Sequence, residues 1–261
     1  AHHEGQIPFI TRRAKQLAQL YWQKEPGTEV VLAAISMHIG SGLRGLRNRF
    51  SNAIARVFGH SARGVGILDF LHRRSVMHTG YYRDYLALIQ QEKPDVVFCS
   101  HQRSEIAVPV MLAAHQLGIP TVTFIYSWDN LPKGRMAVYA DYYFVWSQHM
   151  KDEMKMYYPD VPQDHVLIVG TPQFEHYFNP AILDTREAFF ARTGLDITRP
   201  VICFSGDDTT TSPYDQNYLA DLAEAMRTIP EKSRPQILFR PNPTDSISRY
   251  QPTLDHYPDI F

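Results

Sequence analysis

PDVVFCSHQRSEIAVPVMLAAHQLGIPTVTFIY, residues 94–126, decides the fold. The run 94–100 reads as a short buried strand. Residues 104–117 carry helical periodicity and stop at Gly118, and 119–126 returns to an apolar, β-branched run. Two buried strands joined through a helix make a crossover, and a crossover joins parallel strands.

The same rhythm continues toward the C-terminus, with a strand at 142–146, a helix at 148–157 and a strand at 166–169 that ends in Gly170-Thr171-Pro172. Short apolar strands alternating with helices predict a doubly wound, mostly parallel, Rossmann-like α/β sheet covered on both faces. Toward the N-terminus, 81–91 is a helix and 29–34 (EVVLAA) reads as a short buried strand. Residues 7–22 form an amphipathic helix on Phe9, Ile10, Leu17, Leu20 and Tyr21. A helix-first opening is half of a βαβ unit, which predicts a first strand preceding Ala1. A polar stretch at 179–185 is followed by a helix (186–193), a strand (200–205), a helix (217–228) and a strand (236–239). The pattern has restarted, giving an N-terminal domain at 1–180 and an incomplete second α/β domain at 181–261.

Composition narrows the function classes. The 261 residues carry a net charge of −1, which excludes nucleic-acid binding by bulk electrostatics. No apolar run approaches the roughly 18 residues that span a bilayer. Cys99 and Cys203 lie inside strand-like runs, as reduced, buried thiols of a cytoplasmic protein do. The histidines show no metal-ligand spacing. Charge is unevenly placed: from Ser36 to Arg83 there are eight arginines and a single acid, Asp69. Within that segment Leu43, Leu46, Phe50, Ile54 and Val57 share one helical face, flanked by Arg44, Arg47 and Arg56. Residues 43–57 therefore read either as a stripe packed on the core or as a helix lying on an anionic membrane surface from the cytoplasmic side.

Five stretches carry a family resemblance: Tyr126-Ser-Trp-Asp-Asn-Leu-Pro132, Ala140-Asp-Tyr-Tyr-Phe-Val-Trp-Ser147, Val169-Gly-Thr-Pro-Gln-Phe174, Cys203-Phe-Ser-Gly-Asp-Asp-Thr-Thr-Thr-Ser212 and Leu238-Phe-Arg-Pro-Asn-Pro243. They resemble bacterial surface-polysaccharide glycosyltransferases of the two-domain GT-B type, related to the CDP-glycerol glycerophosphotransferases and the Kdo transferases. The resemblance implies a nucleotide-sugar donor, a glycan or lipid-linked glycan acceptor, no metal and no cofactor, with the donor diphosphate held between two domains. Relatives often carry Arg-Pro-His-Pro where this chain has Arg240-Pro-Asn242-Pro. It also implies that further donor-holding groups lie beyond these residues, so that they alone lack transfer activity. Two other activities remain open on this scaffold: transfer of a polyol phosphate from CDP-glycerol, and non-catalytic binding of a sugar or nucleotide.

Candidate site residues follow from strand ends, where open α/β sheets bind ligands. The donor loop is Ser205, Gly206, Thr209, Thr210, Thr211 and Ser212. Gly206 would allow close backbone approach and the hydroxyls would supply donors, while Asp207 and Asp208 argue against phosphate at their own side chains. Arg240, with Asn242 nearby, can hold a phosphate through two parallel hydrogen bonds, or can pair with Asp245. On the acceptor side, Trp128 can stack on a sugar, with Asn130, His101 and Arg103 around it. The base that takes the acceptor proton is Asp129, or, as in families that place it in the first loop, His3 or Glu4.

Overall fold

The computed structural model describes residues 5–37, 40–137 and 139–261 and divides into two compact units, 1–173 and 174–261. The division falls a few residues before the expected 180.

The first unit opens with five helices: α1 (Gln6–Gln23), α2 (Pro26–Met37), α3 (Gly42–Phe58), α4 (Ala62–Met77) and α5 (Gly80–Glu92). It continues with β1 (Val97–Cys99), α6 (Ala107–Gln116), β2 (Thr121–Phe124), β3 (Tyr142–Val145), α7 (Gln148–Tyr157) and β4 (Val166–Ile168). The four strands form one parallel sheet in the order β1-β2-β3-β4. Gly118, at φ +69°, ends the α6 segment in the left-handed conformation that a helix stop favours.

The expected strand at 29–34 is instead the middle of α2. A short apolar run fits either element by composition; here Leu32 and Ile35, three residues apart, pack on the α1–α3–α4 core, which a helix can do and an alternating strand cannot.

Register shows a second difference. Cys99, Thr121, Thr123, Tyr143, Val145 and Val166 share the buried face of the sheet. The opposite face carries Phe98, Tyr142 and Leu167, all exposed, with Phe98 and Phe144 in ring contact at 6.1 Å. The sheet is covered on one face, not two, among the described residues. Strands laid down consecutively by crossovers of one hand place their helices on the same side, and no reversal of order, the mark of double winding, occurs among β1–β4.

The long link from β2 to β3 is tied to the helical layer by a buried ionic cluster. Lys15 of α1, fully buried, lies 3.2 Å from Asp69 of α4 and donates to the carbonyls of Met136 (3.2 Å) and Ala137. Arg135 Nε donates to Asp69 at 2.7 Å, and its terminal nitrogens reach Gln19 (3.0 Å), Asp69 and Tyr139. The Tyr158 hydroxyl accepts from the Met136 amide at 2.9 Å.

The second unit contains α8 (Arg186–Thr193), β5 (Val201–Ser205), α9 (Asp215–Arg227), β6 (Gln236–Arg240) and α10 (Gln251–His256), with β5 and β6 parallel. Cys99 is buried as expected, but Cys203 is exposed because it lies on the outward side of β5.

Candidate functional site

At the carboxyl ends of β1 and β2 the backbone is fixed by one buried side chain. Gln102 accepts the Tyr126 amide at 3.0 Å, while its own carbonyl accepts the Ala137 amide at 2.9 Å. Gln173 donates to the Tyr126 carbonyl at 2.9 Å. Held from both sides, Tyr126 stacks on His101 with ring centroids 4.8 Å apart and planes within 7°. The His101 Nδ1 accepts the Arg103 amide at 3.2 Å, so this ring presents a fixed tautomer and orientation. Trp128, two residues on, is exposed, and Asn130 is buried. Arg103 is exposed, and its guanidinium makes no hydrogen bond or ion pair among the described residues.

Asp129 forms an ion pair with Lys133, four residues on in the same loop. Burial alone would raise its carboxyl, but hydrogen bonds from Lys133 and Ser127 outweigh that and hold it below the ordinary carboxylate range. Such a carboxylate is a stable anion and a weaker proton acceptor than the base role calls for. Lys133 is itself about half exposed, so the pair can open. His3 and Glu4 lie outside the described residues.

In the second unit Ser205 and Arg240 are register partners at the strand ends, and the Gly206 amide donates to the Arg240 carbonyl at 2.9 Å. Most of the expected donor loop is engaged within itself. Asp208 accepts the Thr210 and Thr211 amides (2.8 and 3.1 Å) and the Thr211 hydroxyl (2.9 Å). Asp215, in the first turn of α9, accepts the Asp207 amide (2.6 Å) and the Ser212 hydroxyl. Asn242 donates to Asp207 at 3.3 Å. Carboxylates therefore occupy the loop amides that a phosphate would need.

The loop's anchor is Arg249, which the sequence reading did not single out. It donates to Gln216 and Asp245 (2.7 and 2.6 Å) and to the Ser212 carbonyl. Asp245 thus pairs with Arg249 and not with Arg240. The i,i+4 spacing of Asp245 and Arg249 was the available signal. Arg240 is left exposed, with no side-chain partner among the described residues, and its register partner Ser205 is exposed, as is Thr209 of the loop.

Gly206 does allow close approach, but to the protein. A Cβ there would lie 2.8 Å from the Tyr250 hydroxyl, and Tyr250 is fully buried. Gly206→Ala should cost about 1–3 kcal/mol through overpacking. Urea unfolding would show a lower midpoint at unchanged slope; an unchanged midpoint would mean that Tyr250 moves aside freely.

Among the described residues, no group of His, Cys, Asp and Glu side chains is placed to hold a metal ion. No protein-family model matches the chain, and no curated protein shows a significant match to it.

Proposed function

We propose that the chain belongs to a nucleotide-sugar glycosyltransferase of cell-surface polysaccharide synthesis, metal-independent and of the GT-B type. The observation that carries this reading is Arg240: an exposed guanidinium without a partner among the described residues, at the carboxyl end of a parallel strand. Unpaired there, it offers a planar fork of donors to a diphosphate. Ser205 supplies a hydroxyl beside it and Thr209 a further one from the loop, while Thr211, Ser212 and Asn242 shape the loop instead of touching donor.

The acceptor half fits the same reading. The His101–Tyr126 stack and exposed Trp128 give flat aromatic surface of the kind that packs on sugar rings, with Asp129 adjacent in sequence and Arg103 ready for an anionic substituent. Proton removal by Asp129 requires Lys133 to swing away, which would return the carboxyl toward its ordinary range. The acceptor is a glycan or lipid-linked glycan, and α3 is the proposed contact with an anionic membrane at its cytoplasmic side.

Binding tests this without requiring turnover. Thermal melts with UDP, GDP, CMP and CDP at a hundred times Kd should each report about 2.7 kcal/mol of stabilisation for the nucleotide that fits. Arg240→Ala should abolish most of that shift while leaving the unliganded melt in place. Stabilisation by cytidine nucleotides together with CDP-glycerol would select the polyol-phosphate activity. A shift indifferent to Arg240→Ala, or none with any nucleotide, would overturn the reading and leave a non-catalytic module.

A further inference from the structure

β1 is an edge strand: in the order β1-β2-β3-β4 no strand lies beyond it among the described residues. In a parallel ladder the amide and carbonyl of one residue point to the same side, and successive residues alternate. The Val97 amide donates to the Pro120 carbonyl at 2.9 Å, and the Cys99 carbonyl accepts the Thr123 hydroxyl at 3.2 Å, so both residues face β2. Phe98 therefore turns its N–H and C=O outward, and neither meets a partner among the described residues.

A free edge is a template for another strand, and proteins blunt it with lysine, proline or a bulge. β1 carries none of these. Its residues are Val97, Phe98 and Cys99, its register with β2 is unbroken, and Phe98 is 54% exposed. Beside the edge, α5 and the start of α6 leave a groove of about 280 Å³ walled by Tyr85, Ile106, Val110 and Met111, with Ser100 and Ser104 where the strand finishes. A cavity of roughly 150 Å³ accommodates benzene, so the groove takes two apolar side chains. Alternate residues of a strand present such a pair on one face, roughly 7 Å apart.

Two kinds of surface meet here, and together they specify the occupant. An aliphatic chain would fill the groove but shut the Phe98 N–H and C=O away from water without partners, which costs free energy. A peptide strand satisfies both: its backbone extends the ladder, its inward side chains enter the groove, and an outward one lies against Phe98. We infer that β1 receives an extended peptide segment with apolar residues at alternate positions, added to the sheet as a further strand beside Phe98. The inference is independent of donor binding at Arg240, and neither test bears on the other.

The probe is acetyl-Lys-Val-Thr-Val-Thr-Val-Lys-amide, titrated into the full chain while NMR follows hydrogen exchange of the Phe98 amide. At saturation that amide should exchange about tenfold more slowly or better, because it has become a donor to the peptide. A strand offers one edge to β1. Of two copies of the peptide, each N-methylated along one edge, one should bind about tenfold more weakly or worse and the other as the parent does. Phe98→Pro removes the outward N–H and none of the bonds to β2, and should weaken the parent peptide to a similar degree. Should that variant fail to fold, Ile106→Asp, at an exposed position of the groove wall, should do the same. Equal binding by both N-methylated copies would show a groove that takes apolar groups without backbone pairing. No binding at millimolar peptide would show an edge closed to strands, and a peptide-free dimer that Phe98→Pro dissociates would give the edge to a second copy. Each of the three overturns the proposal.

Discussion

Asp69→Ala should lower the melting temperature of the first unit by about 6–20 °C. Removing one partner of a buried ion pair typically costs about 3–5 kcal/mol, and each kcal/mol shifts a domain of this size by about 2–4 °C. The carboxylate is shared by two buried cations, Lys15 and Arg135, so its loss leaves both without their ion-pair partner. Lys15 offers the relief. Burial already lowers its pKa, opposed chiefly by Asp69, and without Asp69 it falls further. A lysine whose folded pKa lies below its unfolded one gains stability as pH rises through that window. The deficit of Asp69→Ala should therefore shrink between pH 7 and 10, and Lys15→Met added to it should recover part of the loss. A variant that melts within about 2 °C of the parent at pH 7 would show that water compensates the cations.

The acid limb has its own signs. The Asp69 carboxyl is held below its usual range: burial pushes it up, but Lys15 and Arg135 together outweigh that. Its contribution is present above the unfolded value and lost as pH falls through the folded one. His72, depressed to about 3, contributes fully above 6.5 and loses roughly 1.4 kcal/mol per pH unit below that. Stability should thus begin to fall near pH 6.5, before the Asp69 contribution is lost.

The cluster also shows why local elements were legible in the sequence and the site was not. The helix at 148–157 and that at 186–193 were read at their observed bounds, because periodicity and caps are local: Ser147 and Thr185 each cap the helix that follows. The misread run, 29–34, is the one whose length cannot separate strand from helix. Pairing is not local. Lys15 meets Ala137 across 122 positions, Asp69 meets Arg135 across 66, and Arg249 reaches Ser212 across 37. Nothing in the composition around Tyr126 signals that Gln102 and Gln173 clamp it. Strand ends name a candidate neighbourhood, but which polar groups stay available there is decided by those distant contacts. They engaged Ser212 and Asn242 and released Arg240.

The second large effect expected is on membrane recovery, and it turns on an inverted helix. The face of α3 that packs inward carries Gly45, Asn48, Ser51 and Ala55, small or polar residues. The face turned outward carries Leu43 (87% exposed), Leu46 (66%), Phe50 (57%) and Val57 (70%). Only Ile54 of the expected stripe turns toward the core, where it packs beside Ala55. Small residues let α3 lie close against α1, so its bulk points away from the core. Arg44, Arg49 and Arg56 are exposed alongside, whereas Arg47 lies over the Phe9 ring at 3.6 Å and donates to Gln6. The lone acid of the segment, Asp69, is buried in its ion pairs, so it does not dilute that positive surface. An apolar stripe edged by arginines matches an anionic interface in both layers: side chains at the acyl boundary, guanidinium groups among phosphates. With about 1 kcal/mol per arginine near the surface, reversing Arg44, Arg49 and Arg56 to Glu should weaken co-sedimentation with phosphatidylserine vesicles on the order of a hundredfold or more. Arg47 is left in place because its change would disturb α1. Phe50→Ser should weaken binding through the apolar term, and 0.5 M salt should mimic the charge reversal but spare the Phe50 contribution. Binding that survives both substitutions, or equal recovery with neutral and anionic vesicles, would retire the membrane face and leave the stripe to a protein partner, with self-association in analytical ultracentrifugation identifying a second copy.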